Sequence, residues 1–79
     1  MYVYLLRSRA FPAQTYVGKT TNFRRRLIEH NSGSSTYTRA HAPWDPVTVI
    51  WFDDPEKATE FEVYLKHGSG FAFAKKHFW

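Results

Sequence analysis

An α+β fold in the order β-β-α-β-α-α is what this sequence predicts, and three observations predict it. Three short runs favour strands: YVYLLR at residues 2–7, a brief run at 15–17, and VTVIWF at 47–52. Two stretches, FRRRLIEH and PEKATEFEVYLK, space apolar residues at helical intervals, and a third helical stretch, FAFAKKHF, closes the chain. Seventy-nine residues make one domain, 1–79, with a small core that three Trp, five Tyr and seven Phe help to fill. The elements imply a small sandwich around a three-stranded sheet.

Residues 2–7 are apolar on both faces, which suits a strand buried on both sides, with Tyr2, Tyr4 and Leu6 facing one way. A turn containing Pro12 leads to the second strand, Thr15 to Val17, and the close spacing suggests a hairpin. Gly18 is expected to close that strand and let the chain turn. Thr21 or Asn22 can cap the first helix, whose buried stripe is Phe23 and Leu27 and which frays near Asn31. Residues 31–46, NSGSSTYTRAHAPWDP, read as a polar loop with room for one helical turn, long enough to suggest a function of its own. Asp54 caps the second helix with Pro55 at its first position. Gly68-Ser69-Gly70 is expected to interrupt the chain before the last helix.

Eleven Lys and Arg face seven Asp and Glu, so the chain is cationic by four, which suits an anionic partner such as a nucleic acid. There is no Cys for a disulfide or thiolate metal site, and the four His residues lack the spacing of a zinc site. No apolar run approaches the roughly 18 residues of a membrane span, and the N-terminal segment reads as a strand. A soluble, cytoplasmic domain is expected.

Glu62 is the most telling side chain. At about 100° per residue, Ala58, Phe61 and Leu65 form one stripe, and Glu62 falls inside it, about 40° from Ala58, whereas Glu60 points away. A carboxylate facing the interior is costly unless a cation, a metal or strong donors meet it. A bland alternative puts Glu62 at the stripe's edge, paired with a basic residue. On the first helix Arg26 and His30 are four apart and share a face bordering the Phe23/Leu27 stripe, so both are expected at the rim of the core. Arg24 and Arg25 lie on other sides, as solvated cations or phosphate contacts. Tyr4 and Tyr16, taken singly, are strand tyrosines of the core. Together with Arg26, His30 and Glu62 they make an acid/base candidate, an anion stabiliser and a metal ligand, the parts needed to hydrolyse a phosphodiester.

Tyr4 in VYLL, Tyr16-Val17-Gly18, Arg26 eight residues after that glycine, His30 and the later Glu62 resemble the GIY-YIG nuclease superfamily, above all its small single-domain members. The resemblance is specific in YVGKTTNFRRRLIEHNSG and FEVYLKHGSGFAFAKK and spans essentially the whole chain. It implies a three-stranded antiparallel sheet flanked by helices and a divalent-metal-dependent endonuclease. By position, Tyr4 and Tyr16 match the tyrosines of the two half-motifs, Arg26 the active-site arginine, His30 the frequent histidine one turn later, and Glu62 the metal-binding glutamate. Two departures stand out: Tyr2-Val3-Tyr4 replaces Gly-Ile-Tyr, and no Asn follows Asn31 to fill the later asparagine position, so that role is either empty or taken by another residue such as Ser69.

The resemblance implies that Glu62 holds Mg²⁺ or Mn²⁺ and that Tyr4 or Tyr16, helped by His30, takes the proton from water. A nearby cation, Arg26, Lys19 or the metal, would have to depress the phenol. Lys19, Arg24, Arg25, Arg39, His41, Lys75 and Lys76 are candidate nucleic-acid contacts. DNA is the expected substrate, with RNA open, recognised by structure more than sequence, and a partner protein or self-association could supply targeting. Two alternatives stay open: a nucleic-acid-binding module of the same fold without turnover, and a structural domain in which Arg26–Glu62 is an ion pair.

Overall fold

The computed structural model describes all of residues 1–79, and strand β1, Tyr2–Ser8, runs through its centre. Strand β2, Thr15–Thr20, pairs with one edge of β1 and β3, Trp44–Trp51, with the other, both antiparallel, giving the order β2-β1-β3. Helix α1, Phe23–Asn31, follows the hairpin; a single 3₁₀ turn at Arg39–His41 precedes β3; α2, Pro55–Lys66, and α3, Gly68–His77, complete the chain. The predicted order and the three-stranded antiparallel sheet are both found. No helix is long and apolar enough to cross a membrane.

As the central strand, β1 must be apolar on both faces, and Val3, Tyr4, Leu5 and Leu6 are all buried. Val3 and Leu5 pack with Ala58 and Leu65 of α2 and Ala74 of α3, with Val17, Phe52 and Phe61 around them. Tyr4 and Leu6 pack on the other face with Trp44, against Tyr16, Phe23, Leu27 and Ala42. The sheet therefore separates α2 and α3 from α1. Burying Leu5 and Leu6 contributes about 2–3 kcal/mol each before chain entropy is counted.

Caps follow the sequence at both starts. The Asn22 side chain accepts from the Arg25 N–H, and Asp54 accepts from the Glu56 N–H with Pro55 opening α2.

Three boundaries differ. First, β2 continues through Gly18 to Thr20, so Gly18 is an interior strand residue with no turn to make. Its lack of a side chain serves space instead: Gly18 pairs with Tyr4, and a Cβ there would sit 2.5 Å from the Tyr4 hydroxyl and 2.8 Å from the Tyr16 ring. Second, β3 starts at Trp44, three residues before the predicted Val47. The Asn31 side chain makes this possible by accepting from the Trp44 N–H (2.6 Å) and donating to its carbonyl (3.2 Å), doing what a neighbouring strand would do. Pro46 is accommodated because β3 is an edge strand. Third, Gly68-Ser69-Gly70 forms the first turn of α3, and the break falls at His67, which is extended. Gly68 has φ +53°, and Gly70 lies so close to α2 that a Cβ would overlap the Tyr64 carbonyl.

The two glycines set a graded expectation. Gly70→Ala meets fixed backbone and should destabilise by about 3 kcal/mol or more, whereas Gly18→Ala displaces a tyrosine tip and should cost about 1–3 kcal/mol. Chemical denaturation checks the order; equal stability of both variants with the parent would contradict the packing.

Candidate active site

On the α1 face the sheet brings four predicted residues together. Tyr4 stands on the central strand and Tyr16 on the edge strand beside it, their rings 6.1 Å apart, and Gly18 leaves the space between. Helix α1 lies over this pair because Phe23 and Leu27 pack against it; the Phe23 ring is 5.3 Å from that of Tyr4. One helix then presents Arg26 and, a turn on, His30. The His30 ring is 4.9 Å from the Tyr16 ring, and its Nε2 is 2.8 Å from the Tyr4 hydroxyl.

His30 is not at the rim, as its helical position suggested, but wholly buried. The loop after α1 folds back over it, and its Nδ1 hydrogen-bonds the Thr38 hydroxyl at 2.7 Å. Thr38 is itself buried, and its carbonyl accepts from the Trp44 indole N–H at 2.8 Å. A chain of contacts thus runs Tyr4–His30–Thr38. Its two hydrogen bonds use both nitrogens of a neutral imidazole, one donating and one accepting.

Burial dominates the electrostatics. It lowers the His30 pKa to about 4, helped by the Arg26 charge and opposed by Glu29, so the ring is neutral near neutral pH. Burial also raises the Tyr4 phenol to about 12, with Tyr16 adding to the rise and Arg26 working against it. Arg26 is held firmly charged, chiefly by its hydrogen bond to Glu29 at 2.9 Å.

Glu62 is half-buried on α2, as its place in the stripe predicts, and Glu60 is exposed. Its side chain is only 13% accessible and pairs with Lys66 at 3.0 Å, not with Arg26. The Arg26–Glu62 ion pair is therefore replaced by two local pairs, Arg26–Glu29 and Glu62–Lys66, each within one helix turn. Because α2 covers the Val3/Leu5 face, Glu62 makes no hydrogen bond or ion pair with Tyr4, Tyr16, Arg26 or His30. The helix does follow the sheet edge. Lys19 of β2 donates to Thr59 at 3.0 Å, and Leu65 and Lys66 border a recess with Thr15, Tyr16 and Val17. Along α2, Glu62 falls between Thr59 and Leu65. No three His, Asp or Glu side chains gather as a metal cluster.

Among the candidate nucleic-acid contacts, Lys19, Arg24, Arg25 and Arg39 are exposed. The His41 ring is half-buried, edge-on to Phe11 and near Trp44. Lys75 and Lys76 are exposed on α3, in the layer behind the sheet.

Residues 1–76 match the GIY-YIG catalytic domain. The chain belongs to the GIY-YIG family. A UPF0213 protein of Streptococcus pneumoniae is 41% identical over 66 residues, covering 82% of this chain and 65% of the relative. The structure-specific endonuclease subunit SLX1 of Debaryomyces hansenii is 36% identical over 72 residues, covering 82% of this chain but 21% of that protein. The chain therefore spans just under two thirds of the first relative and about a fifth of the second. The solution NMR structure of a UPF0213 protein from Bacillus halodurans superposes with a TM-score of 0.56 at 33% identity, over 94% of this chain and 78% of the other.

Within this GIY-YIG domain, two residues outside the predicted set complete the cluster. Glu29, three residues after Arg26, was visible as a same-face helical pair. Thr38 carried no local signal, since only the folded loop brings it to His30.

The depressed His30 pKa has a stability consequence with a definite sign. The unfolded chain binds a proton near pH 6.5 and the folded chain near pH 4, so this contribution is complete above 6.5 and is lost as pH falls toward 4. The loss should be about 3 kcal/mol, and His30→Gln should flatten that part of the profile in denaturant titrations at several pH values. An identical slope in parent and variant would contradict it. Separately, Thr38→Val should cost about 1–3 kcal/mol by orphaning the buried imidazole nitrogen, and Thr38→Ser should cost less.

Proposed function

We propose that the protein is an endonuclease that hydrolyses phosphodiester bonds in DNA, uses Mg²⁺ or Mn²⁺, and selects its substrate by nucleic-acid structure more than by sequence. The observation that carries this is the convergence of Tyr4, Tyr16, Arg26 and His30 on one face of a GIY-YIG domain. Kinship to a structure-specific endonuclease subunit supports the structure-directed choice.

Each residue's task follows from its surroundings. Tyr4, with its phenol raised to about 12, keeps its proton and serves as the fixed, hydrogen-bonded partner of His30. Tyr16 is less buried, so it is the phenol that meets the attacking water: after releasing its own proton to solvent, its phenolate oxygen accepts the water's proton, with the His30 ring packed against it. Arg26 keeps its charge and has N–H groups beyond the one on Glu29, which can stabilise the negative charge growing on the phosphoryl oxygens. Glu62 would hold a hard dication as a single protein ligand: a partly exposed carboxylate whose partner is a flexible lysine. Such a site would supply Lewis-acid neutralisation of phosphate charge. Lys19, Arg24, Arg25 and Arg39 contact the backbone and position the strand.

Labelled flapped, branched, single-stranded and duplex DNA, with RNA counterparts, test this in Mg²⁺ and Mn²⁺. The parent should cut at least one branched form, Arg26→Ala should be about 10²–10³-fold slower, and Glu62→Gln should lose cleavage while remaining folded by circular dichroism. A folded parent that leaves every substrate intact overturns the enzymatic reading. Equal salt-sensitive binding by parent and Glu62→Gln, with no cleavage by either, would assign the fold to binding alone.

A further inference from the structure

Beyond the first turn of α1, the face that carries Tyr4 is left uncovered. Tyr2 continues it on β1, and across the strand pair Val49 lies opposite Tyr4 and Trp51 opposite Tyr2. Trp51 is 60% exposed and Val49 39%, and the Tyr2 and Trp51 rings meet 4.9 Å apart at a 59° tilt. Beside them lies a recess of about 440 Å³ lined by Tyr2, Thr21, Asn22, Phe23, Arg24 and Val49. No acidic residue lines it. Arg24 is exposed and forms no ion pair, whereas its neighbours Arg25 and Arg26 both reach Glu29.

We infer that this patch is a subsite for an unpaired nucleotide of the substrate strand, its base stacked on the Trp51 indole beside Tyr2 and its phosphate met by Arg24. A large aromatic left open at an edge, next to an uncompensated guanidinium, matches the two halves of a nucleotide. Stacking accepts any base, so the subsite distinguishes frayed or single-stranded DNA from closed duplex, whose bases are already stacked. Phe23 lines the recess and packs against Tyr4, which makes the patch continuous with the candidate active site. A second copy of the chain is a poorer occupant, because a two-fold contact through this patch would bring Arg24 against Arg24 in a chain already cationic by four. The subsite rests on the nuclease proposal for the strand it serves, but binding alone tests it.

Anisotropy of labelled single-stranded, splayed-arm and blunt duplex DNA, in EDTA so that no cleavage occurs, is the measurement. Trp51→Ala should weaken binding to the single-stranded and splayed forms about 10-fold or more and leave blunt duplex unchanged. Trp51→Phe should restore much of the loss, and Arg24→Ala should weaken binding with a shallower salt dependence. Unchanged preference in folded Trp51→Ala overturns the inference even if the parent cleaves DNA. The expected loss in a protein that never cleaves would uphold the subsite and sink the nuclease proposal. A dimer that dissociates in Trp51→Ala, with nucleic-acid binding intact, would assign the patch to self-association instead.

Discussion

The hydrogen bond between the Tyr4 hydroxyl and the buried His30 imidazole is the constraint on which the rest of the α1 face depends. It joins the central strand to the helix above it with two groups that water can no longer serve, so each must find its partner in the protein. Once that pair is formed, the other requirements follow. His30 needs a second partner, which brings the Thr38 loop down over the helix. Tyr4 needs room at its hydroxyl end, which excludes a side chain at position 18 of the neighbouring strand. The loop in turn needs an anchor, and Asn31 with the Trp44 indole and backbone provides it.

The two phenols differ in how deeply their strands bury them. The central strand places Tyr4 where its charged form is strongly disfavoured, and the edge strand leaves Tyr16 partly open a ring's distance away. Two residues of the same type thus differ in access to solvent because of their strand positions. Arg26 belongs to the same arrangement, because the acid that compensates it sits on its own helix and the guanidinium stays charged beside the phenols.

The sheet also divides the candidate machinery. Four groups share one face, while Glu62 belongs to the helix layer behind it and pairs there with Lys66. At the β2 edge the exposed Lys19 links the two layers by donating to Thr59 of α2.

Much of the fold could be read from residue types, because periodicity and caps are local. The doubly apolar run 2–7 announced a central strand, Asp54-Pro55 a helix start, and the Ala58/Phe61/Leu65 stripe separated Glu62 from Glu60. Gly18 reads as a turn residue because a sequence marks a glycine without saying whether it serves φ or space. His30 reads as a rim residue because a helical wheel shows one helix and not the loop that covers it. Residue order alone thus specifies the elements, their succession, and the phenol, guanidinium, imidazole and carboxylate groups available for chemistry. Which of them meet, that Thr38 closes over His30, and that Glu62 sits in the opposite layer follow from how the helices and the loop pack on the sheet. Contacts between distant segments depend on which face of the sheet each helix covers, and no local pattern encodes that choice.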